Sequence, residues 1–267
     1  MDVRHLPAQL RRAARLAPAG RFLWREVVVR RPAEREYRLR ASGQTVVLRH
    51  RTPDLGGLTE VYVLGLYPLD GAALSGLAAD RPLRAVDLGA NIGLFGLKLL
   101  AARPDAQIVA VEADPGNAAV LRRTIEANDA AGAWTVVEAV AATAEGSVNF
   151  VSGDYLESRV APHGDPRPAV DVLPLLVDAD VVKIDIEGGE GELLADPRFA
   201  QINAPLLFLE YHPPHTREQV LAWLAAAGYE AQPFAERPGG HGDLQARRVR
   251  PAIAAPLTTE REPAADR

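Results

Sequence analysis

The sequence predicts an α/β fold in which helices cover both faces of a mostly parallel sheet, with a small N-terminal extension in front. Two observations lead to this prediction. From residue 84 onward, short apolar runs typical of buried strands alternate with stretches of helical periodicity, which is the pattern of parallel sheets. The chain has 267 residues, 48% of them hydrophobic, which is enough to build a well-packed core.

The individual elements follow from apolar periodicity and from the Gly, Pro and capping residues that bound each run. In the extension we predict a helix over 6–16, strands over 26–30, 36–41 and 45–49, and a helix capped by Asp54 and ended by Gly65. The later strands are predicted at 84–88, 107–112, 135–139, 148–151, 179–186, 206–211, 232–234 and 244–249. Helices are predicted over 92–102, 115–128 and 216–227, with a further helical stretch from residue 189.

Three regions follow from this pattern: a helix and strand cap over 1–80, a ligand-binding sheet domain over 81–250, and a tail over 251–267. The tail is rich in Pro, Ala and charge, so we expect it to be disordered. Within the sheet domain, the stretch 153–168 is rich in Gly, Pro and charge and predicts a surface loop.

The composition excludes several kinds of chemistry. The chain has no cysteine, so it cannot hold a disulfide, a zinc–thiolate site or an iron–sulfur cluster, and it has no thiolate nucleophile. Arginines at positions 11, 12, 15, 21 and 25 interrupt any apolar signal-peptide core, and no run of about 18 apolar residues occurs. We therefore expect a cytoplasmic protein without a membrane span.

The charge is distributed unevenly along the chain. Residues 1–51 contain 13 Arg, no Lys and four acidic residues, a balance of +9, whereas the whole chain carries −5. A basic segment of this kind can bind nucleic acid. However, arginine replaces lysine throughout the chain and few aromatic residues accompany the arginines, so nucleic acid is not the expected partner.

The first motif, over 86–93, joins the end of one predicted strand to the start of the following helix. It contains Asp87, Gly89, Asn91 and Gly93. The glycines let the backbone approach a ligand closely, and Asp87 can reach an ammonium group. A pyrophosphate-binding G-x-G-x-x-G pattern would need Gly at 91 and 94, so a dinucleotide is disfavoured. The spacing instead suits the zwitterionic methionine moiety of S-adenosylmethionine.

Acidic residues mark the ends of three further predicted strands. Glu112 ends the second strand, 19 residues after Gly93, where an acid commonly accepts hydrogen bonds from ribose hydroxyls. Period two would place Lys183, Asp185 and Glu187 on one strand face, which is costly unless these charges are paired or functional. The remaining strand ends with Glu210 and His212, and a histidine can take a proton near neutral pH.

These segments, in this order and spacing, resemble the FkbM family of S-adenosylmethionine-dependent methyltransferases over roughly residues 45–230. The resemblance also includes Leu48 and Arg49 with Thr52, Asp54, Glu60 and Tyr67. It implies a Rossmann-like class I methyltransferase fold, S-adenosyl-L-methionine as cofactor, and O-methylation of a hydroxyl on a natural product or sugar. One departure is Ala113, where the family usually has proline.

The resemblance and the motifs together give two sets of candidate site residues. The predicted cofactor-binding residues are Asp87, Gly89, Ala90, Asn91, Gly93, Glu112, Ala113, Asn117 and Asp185. The predicted catalytic residues are Lys183, Asp185, Glu187, Glu210 and His212. We expect His212 or Asp185 to act as the base and Glu187 to orient the acceptor. The same cluster could hold a hard divalent cation through oxygen ligands, but the resemblance does not require one, so no metal is predicted.

Three alternatives stay open at this point. One is an RNA methyltransferase that grips phosphates with the basic N-terminal segment. The second is a protein that binds the cofactor without catalysis, and the third is a nicotinamide-dependent oxidoreductase, against which the glycine pattern counts. Titration with S-adenosylhomocysteine and with NADH separates the last from the others.

Overall fold

The computed structural model describes residues 7–151, 159–160, 164–236 and 241–250. The predicted tail over 251–267 and most of the predicted loop over 153–168 lie outside these residues. Among the helices that are described, none has the length and the apolar character needed to cross a membrane.

The N-terminal part consists of short helices packed around a three-stranded antiparallel sheet. Its elements are α1 (Ala8–Ala13), β1 (Leu16–Ala17), α2 (Ala19–Leu23), β2 (Ala33–Leu39), β3 (Thr45–His50) and α3 (Asp54–Leu58). The helices α2 and α3 each continue into a π-helical turn, Trp24–Val29 and Thr59–Leu64. The strands lie in the order β1-β2-β3.

Two local predictions for this part are wrong. The stretch 26–30 is helical rather than extended, because Glu26 is buried against His50 while Val27 and Val28 face solvent. Its run of β-branched residues therefore does not decide its conformation. Asp54 does not cap α3; it is the first residue of that helix, and its carboxylate accepts hydrogen bonds from the backbone and guanidinium of Arg49. The predicted end at Gly65, in the left-handed region, is confirmed.

The central part alternates strands and helices as predicted. It begins with β4 (Arg84–Leu88), α4 (Leu94–Ala102), β5 (Gln107–Glu112), α5 (Pro115–Glu126) and β6 (Trp134–Glu138). A small second sheet follows, made of β7 (Val140–Ala142), β8 (Gly146–Val151), β9 (Arg159–Val160) and β10 (Asp165–Asp171). The predicted loop over 153–168 thus overlaps two of these strands.

The C-terminal part completes the large sheet. Its elements are α6 (Leu173–Leu176), β11 (Val181–Ile184), α7 (Glu190–Ala195), the 3-10 helix Pro197–Gln201, β12 (Leu206–Tyr211), α8 (Arg217–Ala226), β13 (Tyr229–Glu236) and β14 (Gly242–Arg248). β11 ends at Ile184, earlier than the predicted 186, so Asp185 and Glu187 lie on the loop that follows the strand.

The large sheet has seven strands in the order β13-β14-β12-β11-β4-β5-β6. Neighbours from β12 to β6 are parallel, and β14 is antiparallel to β12. The chain builds outward from β4 to β6 and then returns to place β11 on the other side of β4. This reversal creates a crevice at the carboxyl ends of β4 and β11, where open α/β sheets bind ligands.

Alternate residues of the central strands enter two different cores. Val181 of β11 belongs to the core that also contains Phe22 and Leu48 of the N-terminal part, whereas Val182 packs with Leu193 of α7. The N-terminal part therefore shares a core with one face of the large sheet. Lys183 has the same parity as Val181, so its side chain lies on the face that the N-terminal part covers.

Candidate active site

A buried ion pair joins the two strands at the crevice. Lys183 of β11 is the register partner of Asp87 of β4, and its Nζ lies 3.3 Å from the Asp87 carboxylate and 3.4 Å from that of Asp185. Nζ also donates a hydrogen bond of 2.8 Å to the Gly89 carbonyl. Burial alone would lower the pKa of Lys183, but the carboxylates of Asp87 and Asp185 outweigh it and raise the pKa. Lys183 thus ties β4, the turn after it and the β11 loop together.

The glycines after β4 serve protein packing. A Cβ atom at Gly89 would lie 1.7 Å from the carbonyl oxygen of Asp185, and one at Gly93 would lie 2.5 Å from Leu121 and 2.9 Å from Trp134. Both glycines have positive φ, 74° and 89°. Our interpretation from sequence placed these close approaches against a ligand; the structure places them against the loop after β11 and against α5 and β6.

Glu112, at the end of β5, is held by the two loops beside it. Its carboxylate accepts hydrogen bonds from the backbone N–H of Asn91 at 2.7 Å and of Asp114 at 2.9 Å, and from the Asn117 amide at 3.4 Å. Burial raises the pKa of Glu112 to about 7, against the opposing effect of these three donors. The Asp114 side chain accepts a hydrogen bond from the N–H of Asn117 and so caps the N-terminus of α5.

A cavity of about 1040 Å³ opens at the carboxyl ends of β4, β5, β11 and β12. Eleven of the predicted site residues line it: Gly89, Ala90, Asn91, Glu112, Ala113, Asn117, Lys183, Asp185, Glu187, Glu210 and His212. Asp87 and Gly93 do not line it. Asp87 is completely buried behind Lys183, so a ligand ammonium does not reach it in this arrangement.

The loop after β11 carries two acidic residues, Asp185 and Glu187, and a third, Glu190, begins the helix that follows it. Glu187 has a positive φ of 56° and faces the cavity. Burial and the nearby charge of Asp185 raise the pKa of Glu187 to about 7. Glu190, which begins α7 and is fully buried, shapes the loop by accepting hydrogen bonds from the N–H of Ile186 at 3.1 Å and of Gly188 at 2.9 Å.

His212 lies just beyond β12 among these carboxylates. Its Nδ1 donates to Glu190 at 3.0 Å, and its Nε2 lies 3.3 Å from Glu187 and 3.5 Å from Glu210. Burial works against the charged ring, but the hydrogen-bonded carboxylates of Glu190 and Glu210 outweigh it and raise the pKa of His212 to about 11. In the metal-free protein His212 is therefore a cation near neutral pH and cannot accept a proton in that state, although it was one of the two general bases that we expected.

Several lining residues were not among the predicted site residues. The N-terminal part contributes Arg49, Asp54, Glu60 and Tyr67 to the cavity wall, and the segment before β14 contributes His241. Arg49 bonds to both Asp54, at 2.7 Å, and Asn117, at 2.5 Å, and so links β3 to the first turn of α5. The four N-terminal residues belong to the stretch that carried the family resemblance, which was the available signal. No sequence signal pointed to His241, because it is the antiparallel pairing of β14 with β12 that brings it to the site.

Comparison with known proteins gives a family match and distant structural neighbours. The precorrin-6y C5,15-methyltransferase of Geobacter metallireducens is 18% identical, with a TM-score of 0.43 over 66% of this chain and 87% of that chain. The magnesium protoporphyrin IX methyltransferase of Synechocystis, solved with bound SAM, is 14% identical, with a TM-score of 0.44 over 72% and 83%. TYW2 of M. jannaschii, in complex with AdoMet, is 13% identical, with a TM-score of 0.43 over 82% and 88%. No curated protein matches this chain.

The seven-stranded sheet with its cavity at the reversal of strand order defines a Rossmann-like fold of the class I methyltransferases. Within that class, the model of the methyltransferase FkbM domain matches residues 87–231, more than half of the chain, so the protein belongs to the FkbM methyltransferase family. Methyltransferases of this family use S-adenosyl-L-methionine as the methyl donor.

Proposed function

We propose that the protein transfers a methyl group from S-adenosyl-L-methionine to a hydroxyl of a small molecule, either a natural product or a sugar. One observation supports this proposal most strongly. A single cavity contains Glu112 at the end of β5 and also the acidic cluster of Asp185, Glu187 and Glu210. In our proposal, Glu112 would bind the ribose of the cofactor. The acidic cluster would accept the proton of the acceptor hydroxyl. Both reactants of the transfer would then lie in one cavity.

The residues at the β4–β5 end of the cavity fit the cofactor chemically. Each Glu112 oxygen already accepts N–H bonds, and a carboxylate has further lone pairs with which to accept bonds from two ribose hydroxyls. The Asn91 side-chain oxygen is buried and accepts no hydrogen bond from the described residues, so it suits a ligand donor such as an ammonium group. Glu112, Asn91, Ala113 and Asn117 would hold the cofactor here.

The bound cofactor supplies an activated methyl group, and the protein has to align the acceptor and remove its proton. We assign the general base to Glu187, because it faces the cavity and its pKa of about 7 suits proton transfer near neutrality. The cationic His212 ring, 3.3 Å away, orients that carboxylate. Asp185, which is held by Lys183, is the second candidate, as expected from sequence.

The test is a methylation assay with mass detection over a panel of polyketide, peptide, sugar and lipid hydroxyls, together with matched amine and carbon acceptors. We expect one acceptor class to gain a methyl group from S-adenosylmethionine. Glu187→Gln should lower kcat at least about 100-fold with little change in cofactor affinity, whereas Glu126→Gln, an exposed carboxylate on α5, should change neither. A panel in which only amine or carbon acceptors are methylated would contradict hydroxyl transfer.

The RNA alternative receives less support from the structure. Several arginines of the basic segment bond within the protein: Arg12 donates to Thr59 at 2.7 Å and Arg40 to the Leu16 carbonyl at 2.8 Å. We expect RNA binding to be weak even at low salt; tight binding that falls steeply with salt would favour the alternative. Binding of S-adenosylhomocysteine without turnover of any acceptor would favour a non-catalytic role. We also propose a cytoplasmic location.

A further inference from the structure

His212 is oriented in the way that metal-binding histidines are oriented. Its Nδ1 donates to the fully buried carboxylate of Glu190 at 3.0 Å, which fixes the ring and leaves Nε2 directed toward the cavity. Histidine ligands in metal sites nearly always give their second nitrogen to a carboxylate or carbonyl in this manner. Glu190 is itself fixed by two backbone N–H donors, so the orientation belongs to the folded loop.

Two further side chains that are able to bind a metal lie near this nitrogen, one on the large sheet and one directly before its strand β14. Glu210 is on β12, and His241 immediately precedes β14, which pairs with β12 through Tyr211 and Gly242. One ligand atom each of Glu210, His212 and His241 lie within 4.8 Å of one another, and the two rings are 5.2 Å apart at their centroids. All three residues line the cavity.

We propose that Glu210, His212 and His241 form a binding site for one first-row divalent metal ion of the zinc type. Two ligands at about 2.1 Å from one ion lie about 3.4 Å apart in tetrahedral geometry, and Nε2 of His212 is 3.5 Å from the Glu210 oxygen. Two imidazoles and one carboxylate favour Zn²⁺, Co²⁺ or Fe²⁺ over Mg²⁺ or Ca²⁺, which prefer oxygen ligands only. This site departs from the metal-free expectation based on the sequence.

A second group of ligand atoms, from Asp185, Glu187 and His212, shares the same histidine. Asp185 is already paired with Lys183, and the three residues offer only one nitrogen, so this group is the poorer site for a zinc-type ion. The Glu210 group leaves at least one coordination position open toward the cavity. An ion there would take the place of the proton on Nε2 of His212, so the ring would become a neutral ligand instead of the cation of the metal-free protein. The ion would also lower the pKa of an acceptor hydroxyl that it contacts; this role in the reaction rests on the proposed function, whereas metal binding does not.

The experiment measures Zn²⁺ binding by the full chain, freed of metal by a chelator, through equilibrium dialysis and calorimetry with no cofactor present. We expect one Zn²⁺ per chain. His212→Ala and His241→Ala should each lose it, and Glu190→Gln should weaken it about 10- to 100-fold. His215→Ala is the matched control, because His215 packs on Trp223 and does not line the cavity. Thermal melting should show that each variant is folded.

Wild-type protein that binds no Zn²⁺, or a His241→Ala variant that binds as the wild type does, would overturn the proposal. Loss of binding in Asp185→Asn but not in His241→Ala would place the ion in the second group and would also overturn it. S-adenosylhomocysteine binding is measured on the same metal-free samples. A failed metal site with intact cofactor binding therefore leaves the methyltransferase proposal standing.

Discussion

A Cβ atom at Gly89 would lie 1.7 Å from the carbonyl oxygen of Asp185. The turn after β4 and the loop after β11 therefore touch through their backbones, with no side chain between them. The first turn lies at the Glu112 end of the cavity and the second loop at its acidic end. This contact sets how closely the two ends approach, and it accounts for a glycine at position 89 without any ligand.

Gly89→Ala tests this contact. The new methyl group collides with the β11 loop, and the positive φ of 74° strains any side chain, so the free energy of unfolding should fall by about 2 kcal/mol or more. Chemical denaturation measures the change. Gly71→Ala is the control, since a Cβ there meets nothing within 4 Å. If both variants unfold at the same denaturant concentration, the contact does not contribute to the stability of the fold.

Lys183→Met tests the buried ion pair. The substitution leaves the carboxylate of Asp87 buried without its cation, so it should cost about 3–5 kcal/mol in the free energy of unfolding. The double variant Lys183→Met with Asp87→Leu should recover part of that loss. Arg84→Ala, which breaks an exposed pair with Asp178, should cost less than about 1 kcal/mol. If Lys183→Met and Arg84→Ala lower the free energy of unfolding equally, the buried pair matters no more to stability than the exposed one.

The raised pKa of Glu112 leads us to expect that cofactor binding depends on pH. Its pKa in the ligand-free protein is raised to about 7, so the carboxylate carries a proton below that pH. Ribose hydroxyls donate to the charged form, so affinity for S-adenosylhomocysteine should rise from pH 5.5 to about 7.5 and then level off. Calorimetry in two buffers of different ionisation enthalpy should show proton release. Glu112→Gln should bind more weakly and without this pH dependence.

The same group affects stability with the opposite trend. Because the folded-state pKa exceeds the ordinary value of 4.5, the folded protein binds this proton more tightly than the unfolded chain does. Stability without ligand should therefore fall as the pH rises from about 4.5 to about 7, by up to about 3 kcal/mol from this group. Denaturation of Glu112→Gln across the same range should lack this component. Parallel curves for the two proteins would refute the burial argument.

A hydrogen-bonded cluster of Tyr37, His50 and Glu26 lies outside the cavity, so we expect a change there to affect stability and not ligand binding. The Tyr37 hydroxyl lies 2.6 Å from Nε2 of His50, whose Nδ1 lies 2.5 Å from Glu26. Tyr37→Phe leaves Nε2 buried without a partner and should cost about 1–3 kcal/mol in unfolding free energy. Affinity for S-adenosylhomocysteine should not change. Tyr62→Phe, which loses only a weak 3.4 Å bond to Leu94, is the comparison; an equal loss there would argue against the cluster.

Much of the large sheet could be predicted because its strands are short apolar runs between clear helix signals. The predicted bounds of 84–88, 107–112 and 206–211 agree with β4, β5 and β12. The prediction for the stretch 26–30 was wrong because local propensity favoured a strand, whereas the buried pair of Glu26 and His50 favours a helix. A contact 24 residues away cannot be seen in a local pattern.

The site was predictable to the extent that its residues follow strands at recognisable spacing. Glu112 and Glu210 lie at strand ends, as expected, and line the cavity. Two features of the site depend on tertiary contacts. His241 reaches the site through antiparallel pairing near the end of the sheet, and the pKa of His212 depends on carboxylates from the start of α7 and from β12. The position of His241 and the pKa of His212 both depend on contacts between segments that are far apart in the sequence.

We propose that the cavity binds S-adenosylmethionine through Glu112. The most direct test is calorimetric titration of the full chain with S-adenosylhomocysteine and, separately, with NADH. We predict one tight site for S-adenosylhomocysteine, markedly weakened in Glu112→Ala and unchanged in Glu126→Ala, and no binding of NADH. Tight binding of NADH with none of S-adenosylhomocysteine would contradict the claim.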